Sequence, residues 1–302
     1  MKRLDLRYKK STRWEKKDTI GWLFVLPTVL GVLVFSIYPI IRSAVLSFYN
    51  HNGVRGIYIG IQNYIYLTKD PQFKNALINT LYIGLLGSFF GQVISLILAT
   101  LINECKWGKN FFKSIFFLPH ITSMVAACMI FLFIFKPDEN GLVNQLLVAL
   151  GLEPCSWFSG TKTSRISLVL MGIWHGAGYN AVIWFAGLQS VPKELIEAAE
   201  IDGANAFQRW WRVTMPCIKP ITVFMVVMSL MNMWKRFGDV YLIGGQDGNP
   251  GQTLTSLVTY IYSAGFFYGK YGRASAAAMV VFVLVVLTTL LNMKVLNKPN
   301  DE

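Results

Sequence analysis

The sequence predicts an all-α, polytopic membrane protein with six transmembrane helices, and three observations carry that expectation. Hydrophobic residues fill 54% of the 302 positions and charged ones only 15%, with a mean hydropathy of +0.45, a balance foreign to soluble domains. Apolar runs near or beyond the ~18 residues that mark a candidate span recur along the chain between polar or Gly/Pro-rich flanks. Basic residues gather on alternate segments between the runs, as the positive-inside rule requires.

The first run covers residues 20–48 and is long enough to tilt or bend, with Pro27 and Pro39 inside it. The second covers 76–102, the third 115–135 and the fourth 166–188. The fifth spans 218–234 with a possible extension to 243, and 274–293 closes the set. The run 142–150 is too short to cross a bilayer and reads as a surface helix.

Net charge is +12, yet its placement argues against nucleic acid as a partner and for membrane orientation. Lys2, Arg3, Arg7, Lys9, Lys10, Arg13, Lys16 and Lys17 all precede the first span, which predicts a cytoplasmic tail over 1–19. Six crossings of the 20–293 domain return the 294–302 tail, with Lys294 and Lys298, to the same side. Lys106, Lys109, Lys113, Lys193, Arg209, Arg212 and Lys219 fall there too. The basic N-terminal region is too long, and the run after it too extended, for a cleavable signal peptide. Cys105, Cys128, Cys155 and Cys217 have no metal-type spacing and imply no disulfide framework.

Between the fourth and fifth runs lies ELIEAAEIDGANAFQRWWRVTMP, residues 194–216. Its carboxylates Glu194, Glu197, Glu200 and Asp202 would together cost on the order of 10 kcal/mol at a bilayer centre, so this stretch belongs in the cytosol. Ser190 is placed to cap a helix whose first turn holds Pro192 and Glu194. Asp202-Gly203 ends that helix, because glycine suits the left-handed backbone beyond a helix C-terminus. A second short helix over about 204–212 runs toward Pro216. Leu195, Ala198, Ala199 and Asp202 share one face of the first helix. Phe207 and Trp211, one turn apart, are placed to fold the second helix onto the first. The expected product is a rigid, cytosol-facing knob over 190–216. Two helices with a glycine turn and nearby arginines also match a DNA-binding helix-turn-helix, but the first helix is acidic and membrane spans begin at both ends.

At these residues the sequence resembles the integral-membrane permease subunits of binding-protein-dependent ABC importers. Glu197-Ala198-Ala199, Asp202-Gly203-Ala204 and Pro216 match the family's EAA loop. NTLYIGLLG from Asn79, SIFFLPHITSMVAACMIF from Ser114, FGDVYLIGG from Phe237 and YGRASAAAMVVF from Tyr271 extend the likeness over nearly the whole chain, toward the carbohydrate branch of maltose- and glycerol-phosphate-type permeases. GGQDGNPGQT is a looser version of the family's Gly-Gly-Pro loop. The resemblance implies a type I importer permease fold in a bacterial cell membrane, and a knob whose Glu197, Ala198, Ala199, Asp202, Gly203 and Ala204 insert into a cytoplasmic ATPase subunit. It also implies four kinds of partner: a second, homologous permease, two ATPase subunits, an extracytoplasmic solute-binding protein and a sugar or oligosaccharide passing between the permeases.

No GxxxxGK[ST] phosphate cradle occurs, so the chain is expected to carry no cofactor of its own, ATP and Mg being bound by partner subunits. A secondary transporter would place ionisable groups within its spans. Arg42, Lys235, Arg236 and Asp239 instead read as span-end residues that snorkel. A membrane enzyme would show a ligand cluster or a nucleophile–base pair, against which stand three scattered histidines and few buried acids.

Sugars are bound by aromatic faces and by amide or hydroxyl groups that replace water. Span four offers Gly176, Tyr179 and Asn180, and span five Ser229, Asn232 and Trp234, as substrate-lining candidates. By position in the motif, Gly176 and Tyr179 resemble residues that line the substrate site in maltose-type permeases, with Asn232 near a matching position. Other roles stay open: interfacial anchoring for Trp174 and Trp234, close packing for Gly176 and Gly178, helix cross-linking for Asn180 and Asn232. His175 reads as a hydrogen-bonded interior group. A charged substrate, glycerol phosphate or an acidic oligosaccharide, is the alternative. It is favoured if Arg42, Lys235 or Arg236 points into the cavity. Outer segments 50–75, 136–165 and 244–272 are expected to meet the solute-binding protein.

Overall fold

The structure, a computed structural model, describes residues 16–296. The cations assigned to the terminal tails at positions 2–13 and Lys298 lie outside the described residues. Among the described residues four helices are each long and apolar enough to cross a membrane: Gly21–Leu46, Pro71–Glu104, Ser164–Gln189 and Tyr271–Lys294. Two bent helix pairs bring the possible crossings to six, so the chain is an all-α polytopic membrane protein. A two-stranded hairpin, Tyr49–His51 with Gly56–Tyr58, is the small β element among the described residues.

The bends have chemical causes. Pro39, which has no N–H to bond back along the helix, follows the π-turn Leu33–Ile37 in span one. The expected continuous third span is instead two helices, Lys109–Ile121 and Met124–Ile134, bent by 94°. Pro119 weakens the last turn of the first, and Thr122 and Ser123 are extended. At the start of the fifth run the chain bends by 71°, between the helical stretch Ala206–Cys217 and the helix that begins at Lys219. It is then helical over Lys219–Trp234, breaks, and resumes as Gly238–Gly244.

Between helices in lipid the hydrophobic drive is weak, so packing relies on small residues and buried amides. A Cβ on Gly178 would overlap the Phe116 carbonyl, and one on Gly84 would overlap the Met233 side chain. These glycines set the approach of span four to span three and of span two to span five. Ala76, Ala99, Ala127, Ala276 and Ala277 are wholly buried. At the loop-rich end, fully buried Asn79 donates to the Gln252 and Thr255 carbonyls at 2.7 and 3.0 Å and accepts from Arg165 Nε at 2.8 Å. Buried Asn144, in the short helix Leu142–Ala149, donates to the Lys136 and Cys155 carbonyls and accepts from the Trp157 indole at 2.7 Å. These amides pin the irregular loops that close this end of the bundle.

Candidate functional site

The opposite end carries the helix pair. Its first helix, Lys193–Ile201, starts with Pro192 as the N-cap. Ser190 does not cap it, because the Ser190 hydroxyl turns back to donate to the Gly187 carbonyl at 2.7 Å, closing span four instead. Gly203 has φ +80°. Gly203 N–H bonds the Glu200 carbonyl at 3.0 Å and Ala204 N–H the Ala199 carbonyl at 2.9 Å, the double bond pattern of a Schellman terminus. Asn205 and Gln208 form a capping box for the second helix, Ala206–Arg209.

Phe207 and Trp211 do not fold one helix onto the other; they are 72% and 60% exposed. Arg209 makes the tie, donating to Glu200 Oε1 at 3.2 Å and to the Ala204 carbonyl at 3.3 Å. Glu197, Ala198, Asp202 and Gly203 are exposed, Ala199 and Ala204 half-buried, and Leu195 is 47% exposed. The pair is thus held by backbone caps and one ion pair while it presents apolar side chains outward.

Midway along the bundle, spans two, four and five, with Met124 of span three, line an open-sided cavity of about 430 Å³. Its lining includes Tyr179, Asn180, Ser229 and Asn232 from the expected set. Gly176 and Trp234 are not in the lining. Trp234 is buried and its indole donates to Thr288 Oγ1 at 3.1 Å, tying span five to span six. A Cβ on Gly176 would have Asn180 Nδ2 as its nearest neighbour, at 3.9 Å, so its packing is loose, unlike that of Gly178.

The cavity wall also holds groups outside the expected substrate-lining set, among them His175, whose Nε2 lies 3.4 Å from the Thr122 carbonyl as an interior hydrogen-bonded group would. The His120 ring, brought over by the bend in span three, lies 5.5 Å from His175 and stacks on Tyr179 at 4.4 Å. Arg236 and Asp239 do not snorkel. Arg236 sits in the break in span five and Asp239 in the first turn of the helix that resumes at Gly238, and both line the cavity, where Arg236 Nε donates to Asp239 Oδ2 at 2.8 Å and Nη2 to the Leu168 carbonyl at 3.1 Å. The break leaves a turn where a continuous helix would have pointed these side chains elsewhere. Gly172 and Gly87 make room: a Cβ on either would lie 2.6 or 3.5 Å from the guanidinium. Gly84, Gly87, Ser88 and Gln92 of span two complete the wall at helical spacing, a face of small and polar residues that was legible in the sequence. Five methionines, Met124, Met171, Met225, Met228 and Met233, line the rest and give it an adaptable surface.

Residues 91–297 match the family described as binding-protein-dependent transport system inner membrane component. The chain is 35% identical to the arabinooligosaccharides transport system permease protein AraP of Bacillus subtilis, over 92% of this chain and 88% of that protein. It is 32% identical to the lactose transport system permease protein LacF of Rhizobium radiobacter, over 91% and 93%. Among solved structures, a chain of a bacterial alginate ABC transporter in complex with an alginate pentasaccharide-bound periplasmic protein superposes with a TM-score of 0.84 at 27% identity, covering 93% of this chain and 95% of that one. The MetNI methionine ABC transporter, at 17% identity and TM-score 0.52, shares the fold.

Proposed function

The chain belongs to the binding-protein-dependent inner membrane component family, as a permease subunit of a carbohydrate ABC importer, and from that premise we propose that its mid-bundle cavity passes an oligosaccharide handed over by an extracytoplasmic solute-binding protein. The helix pair over 190–216 faces the cytosol and seats in an ATPase subunit, two of which supply ATP hydrolysis. A second, homologous permease faces this one across the sugar path. Closure of the ATPases moves the knob as a rigid body and swings the bundle between inward- and outward-facing packings.

The cavity lining carries this reading. Tyr179 offers an aromatic face, and Asn180, Ser229, Asn232 and Gln92 offer replaceable hydrogen bonds. Among the described lining residues the formally charged groups are the Arg236 guanidinium and the Asp239 carboxylate, and they pair. That balance favours a neutral sugar, as the names of the arabinooligosaccharide and lactose permeases also suggest.

An acidic oligosaccharide is the second reading, and two observations favour it. Arg236 stands in the cavity wall rather than among lipid headgroups, and the alginate importer is similar over nearly the whole chain. Lys235 is exposed and outside that lining, as is Arg42. Binding of labelled neutral and uronate oligosaccharides to the cognate solute-binding protein, followed by uptake of the bound class, separates the two. Uptake of neither class would reject the carbohydrate assignment of the cavity.

A further inference from the structure

At the loop-rich end, away from the sugar cavity, a small pocket of about 140 Å³ is lined by Tyr66, Asp70, Tyr260, Tyr268, Lys270 and Arg273, among others. It is well below the roughly 300 Å³ at which small-molecule sites begin, so it holds one side chain rather than a sugar.

Its electrostatics select the sign of that side chain. The Arg273 guanidinium lies 3.6 Å from the Tyr66 ring centroid, and Lys270 Nζ 5.7 Å from that of Tyr268. Neither cation has a carboxylate partner among the described residues. Asp70 is already engaged: Oδ1 accepts from Gln72 N–H at 2.9 Å and Oδ2 from the Tyr260 hydroxyl at 2.6 Å. Burial, then the bond to Asp70, push the Tyr260 hydroxyl above the usual phenol range, so it stays a donor. The 26-residue helix Tyr271–Leu296 begins at this pocket and has no acid in its first turn. Its N-terminus adds about half a positive charge. Two cations and a helix end therefore converge on a pocket that holds one carboxylate, which leaves its formal charge positive.

We propose that this pocket is an anchor for an aspartate or glutamate side chain of the solute-binding protein. The proposal rests on the reading that segments 50–75 and 244–272 face that partner. The aromatic faces of Tyr66 and Tyr268 hold the two cations in place before docking, which lowers the ordering cost of the contact. Charge at the edge of an interface acts mainly on encounter rate and salt dependence.

The test uses the assembled importer in proteoliposomes, with ATPase rate measured against the concentration of sugar-loaded cognate solute-binding protein at two sodium chloride concentrations. Lys270→Gln with Arg273→Gln is expected to raise the half-saturating concentration about tenfold at low salt and to flatten its salt dependence, with the wild-type rate still reached at saturation. Lys270→Gln alone, at an exposed position where folding is not at stake, is expected to give a smaller shift of the same sign. Unchanged half-saturation and salt dependence in both variants would overturn the anchor while leaving the importer reading intact. A wild-type importer indifferent to the binding protein would overturn both.

Discussion

Arg236 holds Asp239 across the break in the fifth span, with Nε donating to Oδ2 at 2.8 Å while Asp239 is only 5% exposed. Removing one partner of such a pair leaves an uncompensated buried charge, whereas replacing both with apolar groups can be neutral. Asp239→Ala is therefore expected to cost about 3–5 kcal/mol, read as a lowered thermal midpoint of the detergent-solubilised importer. Arg236→Met with Asp239→Leu should recover much of that loss. Equal midpoints for the single variant and wild type would mean that the pair is not closed in the assembled protein.

Two glycines two residues apart should respond oppositely. Gly178→Ala places a Cβ on the Phe116 carbonyl, a backbone atom that cannot step aside, so overpacking of about 1–3 kcal/mol is expected. Gly176→Ala meets nothing closer than 3.9 Å and should raise the midpoint slightly, since alanine is favoured over glycine inside a helix by about 0.5–1 kcal/mol. Thermal melts of both variants, compared side by side, check the packing of span four on span three.

Gly203 has open space around it, so a Cβ there meets no neighbour; the obstacle is φ +80°. A β-branched residue in that left-handed conformation costs on the order of 1–2 kcal/mol, which loosens the helix terminus between the two parts of the knob. Gly203→Val is expected to let ATP hydrolysis continue while uptake falls, both measured in the same vesicles. Full uptake by this variant would remove the knob from the coupling path.

Tyr179 stacks on His120 and faces the cavity. Tyr179→Ala should raise the half-saturating sugar concentration for transport about tenfold, since an aromatic platform of this kind contributes on the order of 1 kcal/mol beyond its buried area. Tyr179→Phe keeps the ring and should retain most of the affinity. Asn232→Ala is expected to weaken uptake without lowering the yield of assembled protein. Unchanged uptake kinetics in both alanine variants would assign these residues to packing.

The Tyr260 hydroxyl, its pKa raised by burial and by Asp70, contributes stability that is present below the ordinary tyrosine range and lost as pH rises through the raised folded-state value. The thermal midpoint should therefore fall more steeply in wild type than in Tyr260→Phe only above about pH 10, where an unfolded tyrosine ionises. Parallel slopes would show that the bond to Asp70 is not made in solution.

Apolar runs made the helices legible, and runs cannot show where a helix breaks. The run over 115–135 stays apolar through Thr122 and Ser123, so its 94° bend is written only in Pro119 and two residues that favour extended backbone. Lys235 and Arg236 read as the end of a span because charges usually are; the helix in fact resumes at Gly238. At the site, Tyr179, Asn180, Ser229 and Asn232 were recognisable as polar groups within greasy helices, and they share one cavity. His120 was not recognisable beside Tyr179, since only the folded bend brings span three across span four. The face of Gly84, Gly87, Ser88 and Gln92 was visible at helical spacing, but small residues in lipid signal packing as readily as a cavity wall.

Photo-crosslinking from Leu195 tests the account most directly. This side chain is half exposed on the first helix of the pair, so a benzophenone amino acid incorporated there in the assembled importer samples whatever the knob touches. The account predicts an adduct with the ATPase subunit whose yield changes with ATP; an adduct with the extracytoplasmic solute-binding protein instead would contradict it.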